Sequence, residues 1–232
     1  MSERKSVMII GGGASGLMAA IFAAKEGAAV TVLEHSQSFG KKLLATGNGR
    51  CNLTNVQIYG DSYRGSHREF AAKVLERYDN RQTIAFFSKL GIYTMNQERL
   101  YPHSQQASSV LDVLMMEARH RKVKLKTCEE VKVIAKEGDS FRVLTENWTY
   151  HADRVILCTG SPASNISGAD DSGYQLARML GHQVIKPLPA LVPLRCRGKW
   201  FSSWAGVRVD AKVTLLIDKE RKAQERGEVQ MT

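Results

Sequence analysis

The chain has 232 residues, 43% of them hydrophobic, and carries 33 Lys and Arg against 23 Asp and Glu for a net charge of +10. That length allows one or two domains and a core for at least one, while no apolar run reaches the roughly 20 residues of a membrane span and the polar MSERKS start lacks a signal-peptide core. Four cysteines without CxxC spacing indicate neither a disulfide framework nor a zinc site, and they suit a soluble, cytoplasmic protein.

Residues 7–10 (VMII) form a continuous apolar run of strand length, as expected for a buried parallel strand. Three glycines follow. Gly11 permits the tight turn, Gly13 lets backbone approach a pyrophosphate with no side chain in the way, and Gly16 lets the next helix pack close to the strand. The small, helical stretch from Ala14 ends at Gly27, and its N-terminus presents free N–H groups and partial positive charge to an anion. Residues 31–33 read as a second parallel strand, with Glu34 at its end, 18 residues after Gly16. There a carboxylate accepts both hydroxyls of an adenine ribose. The same carboxylate disfavours a 2′-phosphate: two such charges ~4 Å apart cost about 4 kcal/mol at an effective dielectric of 20. The unit therefore fits FAD or NAD and not NADP.

A simple NAD-linked dehydrogenase continues directly into another helix and strand. Residues 39–55 (FGKKLLATGNGRCNLTN) instead show no sustained periodicity and read as a long functional loop. Gly47 and Gly49 flank Asn48, so the backbone there can take positive φ and present N–H groups, with Lys41, Lys42 and Arg50 supplying charge. Helices are expected over 67–78, over 81–90 with Asn80 as cap, and over 109–121 with Ser108 as cap. The period then changes to two: 124–127, 131–136, 141–145 and 149–151 read as a β-meander. Residues 154–158 form a returning buried strand ending at Thr159-Gly160, and 173–180 a helix closed by Gly181. The prolines at 187, 189 and 193 mark a domain crossing near 190–196, and 207–217 and 229–231 read as strands. The domains expected are thus 1–190 and 191–232.

The stretch GKKLLATGNGRCNLTN, after VMIIGGGASGLMAA and VTVLE, resembles the BaiN-like, or aminoacetone-oxidase, family of NAD(P)/FAD-dependent oxidoreductases. The resemblance continues through LYPHSQQASSVLDVL, VILCTGSPASNISGADDSGYQLARMLGH, PLPALVPLRC and GVRVDAKVTL, nearly the whole chain. It implies an α/β fold: a glutathione-reductase-like FAD/NAD(P)-binding Rossmann domain with a β-meander, interrupted by an inserted, mostly β domain. It also implies a flavoprotein that transfers hydride between a small organic substrate and FAD. Gly11, Gly13, Ala14, Ser15 and Gly16 would hold the pyrophosphate, and Glu34 with His35 the adenosine end. Lys42 and the loop Thr46, Gly47, Asn48, Gly49, Arg50, Cys51 and Asn52 would run along the flavin half. Val131 would reach adenine through its backbone, and Thr159 and Gly160 would approach the cofactor. Ser161 stands where family members often have Gly, which bears on how closely that turn approaches.

No second GxGxxG is present, so NAD(P)H that reduces the flavin docks transiently or uses the inserted domain. Substrates implied are unsaturated steroid-like acids or small amines. The family continues past the position of Thr232 and returns to complete the FAD domain, which predicts weak or no FAD binding by this chain alone. A truncated, non-catalytic fragment is one alternative; an NAD-linked dehydrogenase is another. The +10 charge raises a basic RNA-modifying flavoprotein as a further one, but the densest run, Arg119-His120-Arg121-Lys122 with Lys124 and Lys126, lacks interleaved aromatics and reads as a solvated face. Cys51 beside Arg50 is either a thiol of lowered pKa or, as favoured here, a packing residue. His103 is the histidine to test as a proton donor. No metal site, Ser-His-Asp set or carboxylate pair can be assigned.

Overall fold

The computed structural model describes residues 4–58, 63, 65, 67–95, 98–163, 166, 168–188, 194–198 and 200–231. It divides into two compact units, Met1–Lys186 and Pro187–Thr232. Of the expected crossing at 190–196, positions 190–193 lie outside the described residues, as do Pro189 and Thr232.

In the first unit β1 (Ser6–Ile10) is paired in parallel on both sides, with β2 (Ala29–Leu33) and with β9 (Arg154–Leu157). A fourth strand, β5 (Lys124–Lys126), pairs in parallel with β2. The apolar run of β1 is therefore explained by burial on both faces. Ile9 and Val32 face one side, where α1 (Ala14–Lys25) and α5 (Ala107–His120) supply Leu17, Ala20, Ile21, Val110, Leu114 and Ala118. Met8, Ile10 and Leu33 face the other, against Val131, Ile134, Val143, Ala152 and Leu176. Those residues belong to the antiparallel meander β6 (Val131–Glu137), β7 (Ser140–Thr145) and β8 (Thr149–Ala152), and to α6 (Ser172–Met179). Helices, parallel sheet and meander are thus three layers, and the strand period of two sends alternate residues into two cores.

Several local expectations change. Lys124–Lys126 belongs to the parallel sheet rather than to the meander, because its partner Thr31–Leu33 is distant in sequence and its period matches either sheet. The 39–55 stretch is not uniformly irregular: it holds α2 (Lys41–Ala45), a 3-10 turn at Thr46–Gly49 and β3 (Thr54–Asn55), which pairs with β4 (Arg99–Leu100). After α3 (Arg68–Arg77), α4 spans Asn80–Lys89, and its cap is Asp79, not Asn80. Asp79 accepts from Gln82 N while the Gln82 side chain returns to Asp79 N, a reciprocal box for which Asn80, with the short Thr83 three residues on, has no returning side chain. Helix α5 begins before Ser108, with Gln106 at the cap position and no side-chain cap bond. No described helix is long and apolar enough to cross a membrane.

The second unit is built on an antiparallel hairpin of β10 (Arg208–Ile217) and β11 (Glu220–Gln230). The second strand is far longer than the expected 229–231, because ERKAQERGEVQ hydrogen-bonds as a strand without an apolar alternation to announce it. Asp218 and Lys219 both take positive φ, the two-residue turn that matches strand twist.

At the end of the parallel sheet away from the glycine turn, Asp153 ties β1 to β9. Its carboxylate accepts from Ser6 N and Ser6 Oγ, both at 2.7 Å, and Ser6 Oγ accepts from Asp153 N at 2.9 Å. The Ser6 N–H and hydroxyl, with Lys5 adding less, hold the Asp153 carboxyl at about 2, below its usual 3.8. A depressed folded-state pKa stabilises above the unfolded value and stops doing so as pH falls through the folded one. Asp153→Asn is therefore expected to unfold more readily than the native chain at pH 7, with the gap closing between about pH 4 and pH 2. Urea midpoints across that range check this; a gap independent of pH would contradict it.

Candidate functional site

The turn between β1 and α1 is built from backbone contacts that exclude side chains. Gly11 has φ +106, donates its N–H to Leu33 O at 2.8 Å, and a Cβ there would lie 2.4 Å from Cys158 O. A Cβ at Gly16 would lie 1.9 Å from Gly11 O, so the helix rests directly on the turn. Gly13 is different. It caps α1 with φ −78, and a Cβ there would meet nothing within 4 Å. The first N–H groups of α1 point into this open space without intrahelical partners.

Glu34 stands at the end of β2 and is 7% exposed. Its Oε2 accepts from Gly12 N at 2.7 Å and its Oε1 from Ser36 N at 2.8 Å, with His35 Nδ1 3.3 Å from Oε1. Each ionised oxygen keeps a further acceptor site. The backbone is tied as well: Glu34 N donates to Lys126 O, and Glu129 N donates to Glu34 O, both at 2.9 Å.

These elements enclose a cleft of about 340 Å³. Of the residues singled out in the sequence, Gly11, Gly13, Ala14, Ser15, Glu34, His35, Lys42, Thr46, Val131, Thr159 and Gly160 line it. Gly16, Gly47, Asn48, Gly49, Arg50, Cys51 and Asn52 are not among its lining residues. The glycine-asparagine turn does take the expected positive φ, at 55, 56 and 82 for Gly47, Asn48 and Gly49. It is seated on Tyr101: a Cβ at Gly47 would lie 2.8 Å from that ring. The Arg50 guanidinium lies 4.6 Å over the same ring, and its Nε donates to Gly47 O at 3.1 Å. Arg50 therefore braces the turn against the Tyr101 ring. Cys51 is buried, and burial pushes its thiol up against a smaller opposing hydrogen bond with Thr46, which fits a packing residue.

Lys42 spans from α2 to the turn after β9, donating Nζ to Ser161 O at 2.7 Å. Beside it the Asp170 carboxyl is pushed up by burial, but the Ser172 hydroxyl and N–H and the charges of His35 and Lys42 outweigh this and lower it. Asp170, Glu129, Ser36 and Cys158 line the cleft and were not singled out in the sequence. For Asp170 a local signal existed, an acid two residues before a helix start, where Oδ1 accepts Ser172 N at 3.0 Å. For Glu129 there was none, since only the parallel pairing of β5 with β2 brings it to Glu34. Cys158 lies beside Ser15, and burial, more than that hydrogen bond, sets its thiol above the ordinary value.

His103 is exposed and is not a lining residue. No His, Cys, Asp and Glu cluster that could hold a metal ion occurs among the described residues. In the basic run, Arg121 Nε is 2.6 Å from Glu117 Oε1, and Lys126 Nζ lies over the rings of Trp148 and Tyr150. Two of its cations are therefore engaged within the fold.

Residues 5–225 match the family described as HI0933-like protein Rossmann domain. The chain is 45% identical over 227 residues to a 3-dehydro-bile acid delta(4,6)-reductase of Clostridium scindens, covering 97% of this chain and 56% of that protein. It is 29% identical over 227 residues to a ribosomal RNA dihydrouridine synthase of Haemophilus influenzae, covering 94% and 56%. The chain thus spans about half the length of the curated relatives it matches. Among solved structures, a 3-ketosteroid-delta4-(5alpha)-dehydrogenase from Rhodococcus jostii RHA1 aligns with a TM-score of 0.58 at 15% identity, over 79% of this chain and 56% of that one, a likeness of fold. The glycine turn, the acid ending β2, the meander layer and this match together place the chain in the HI0933-like family of FAD-dependent oxidoreductases, whose Rossmann domain it carries.

Proposed function

We propose that the cleft holds FAD, with the pyrophosphate over the N-terminus of α1 and the adenosine toward Glu34, His35 and Val131. The observation that carries this reading is Gly13. Its φ suits any residue and its Cβ direction is empty, so the fold itself does not need glycine there. A ligand lying against the backbone does. The second acceptor sites of the Glu34 carboxylate suit the ribose hydroxyls, and Gly12 and Ser36 hold that carboxylate in one orientation beforehand.

Bound FAD would supply two-electron chemistry, with hydride taken or given at the flavin. The chain's own residues would position it. Lys42 holds the Ser161 turn against α2, which sets where Thr159 and Gly160 stand at the cleft, and the Tyr101–Arg50 seat holds the 47–49 turn. On this reading Gly47, Asn48, Gly49, Arg50, Cys51 and Asn52 shape the flavin half from behind, and the Gly16 contact fixes α1. The 187–232 unit is the start of the inserted, mostly β domain, and residues 1–186 are the FAD domain. NAD(P)H is a transient electron donor.

For substrate we favour a small unsaturated organic molecule, steroid-like acids first, over an RNA. The support is the 45% identity to the bile acid reductase against 29% to the RNA enzyme, and the engagement of Arg121 and Lys126 within the fold. Free thiols at all four cysteines suit a cytoplasmic setting.

FAD titrated into the 232-residue chain, followed by flavin fluorescence, is expected to approach saturation at one site with the weak affinity anticipated from the sequence, since the chain spans about half the length of its curated relatives. Gly13→Ser keeps a good helix cap, so the thermal midpoint should hold or rise, while FAD binding weakens by about tenfold or more. Glu34→Gln, which removes a charged acceptor of ribose hydroxyls, should weaken FAD binding by about tenfold as well. Unchanged affinity in Gly13→Ser at unchanged stability would overturn the placement of the pyrophosphate.

A further inference from the structure

Glu129 holds one unpartnered, buried carboxylate oxygen in the lining of the cleft. The residue is 8% exposed and lines the cleft together with Glu34, His35 and Val131. Its Oε1 accepts from the Tyr150 hydroxyl at 3.0 Å, and Lys126 Nζ donates to that hydroxyl at 3.1 Å. An ammonium has no acceptor, so Lys126 must donate, and Tyr150 must pass its own proton toward Glu129. The relay fixes the carboxylate and satisfies one oxygen only. Among the described residues, Oε2 is buried with no hydrogen-bond partner.

A buried carboxylate oxygen left unpaired is costly, and native structures carry such groups where a missing donor arrives with a ligand or water. Resting on the reading that the cleft holds FAD, two kinds of donor are available at this end: the ribose hydroxyls and the 6-amino group of adenine. The hydroxyls belong to Glu34. Its main chain is bonded to Glu129 N, so the two residues are held as neighbours in the cleft lining. Leu33, Val131 and Leu176 give this part of the cleft apolar surface suited to a flat ring. We propose that Glu129 is a specificity-determining residue that selects adenine, its Oε2 accepting the exocyclic 6-amino group, with Tyr150 and Lys126 as positioning residues behind it.

The probes are ADP and purine riboside 5′-diphosphate, which differ in having an amino group or a hydrogen at purine position 6. Calorimetry with the unmutated 232-residue chain should show ADP tighter by about tenfold or more, since a site built around a donor rejects the analogue that lacks it. In Glu129→Leu the ratio should fall to within about twofold. Glu129→Gln, which keeps shape and the bond from Tyr150, should lose the preference too, because the amide turns a donor toward the amino group. Equal affinities in the unmutated chain, or a preference that survives in a folded Glu129→Gln, would overturn the assignment while leaving the FAD reading intact. Failure of ADP and FAD alike to bind would overturn both.

Discussion

The Glu34 carboxylate is the interaction on which this site depends. It is buried, and its two oxygens take N–H groups from Gly12 in the first turn and from Ser36 in the chain leaving β2. Hydrogen bonds to a charged group contribute about 1.5–3 kcal/mol each, and neither can be surrendered cheaply once the carboxylate is out of water. The pair fixes the distance between the glycine turn and the end of β2. Those are the two points between which an adenine nucleotide would lie. Further backbone bonds from Glu34 to Lys126 and from Glu129 to Glu34 extend the same clamp to the edge strand. One acid thereby brings three chain segments together at the mouth of the sheet.

The glycines around this clamp divide by cause. Gly11 and Gly16 are required by the protein itself, through the Cys158 and Gly11 carbonyls that a side chain would strike. Gly12 lies against Phe39, 2.2 Å from where its Cβ would stand, and its N–H holds Glu34. Only Gly13 in this turn faces open space, so no contact within the turn accounts for its smallness. A similar division holds in the 46–52 turn. There Arg50 and Tyr101 brace a run of left-handed residues whose conformation costs energy at Asn48 and Cys51.

Much of the fold was legible because its signals are local. The apolar VMII run, the glycine spacing and the acid ending the second strand lie within one short segment, and the left-handed turn is written in the Gly-Asn-Gly order. What was not legible depends on pairing between distant segments. Lys124–Lys126 has the same alternation whether it joins the meander or the parallel sheet, and only its bonds to Thr31–Leu33 decide. The placement of Glu129 beside Glu34 follows from that pairing, so the residue carried no signal of its own. The Arg50 charge is legible in the sequence, whereas its seat over the Tyr101 ring depends on a residue distant in the chain. In β11 the polar sequence hid a long strand, since both of its faces are mostly exposed.

A crystal of the chain soaked with FAD would show where the nucleotide lies. Density for the pyrophosphate is expected against the N–H groups of Gly13, Ala14 and Ser15, with both ribose hydroxyls on Glu34. Density for the nucleotide outside this cleft, with Glu34 bonded only to Gly12 and Ser36, would contradict it.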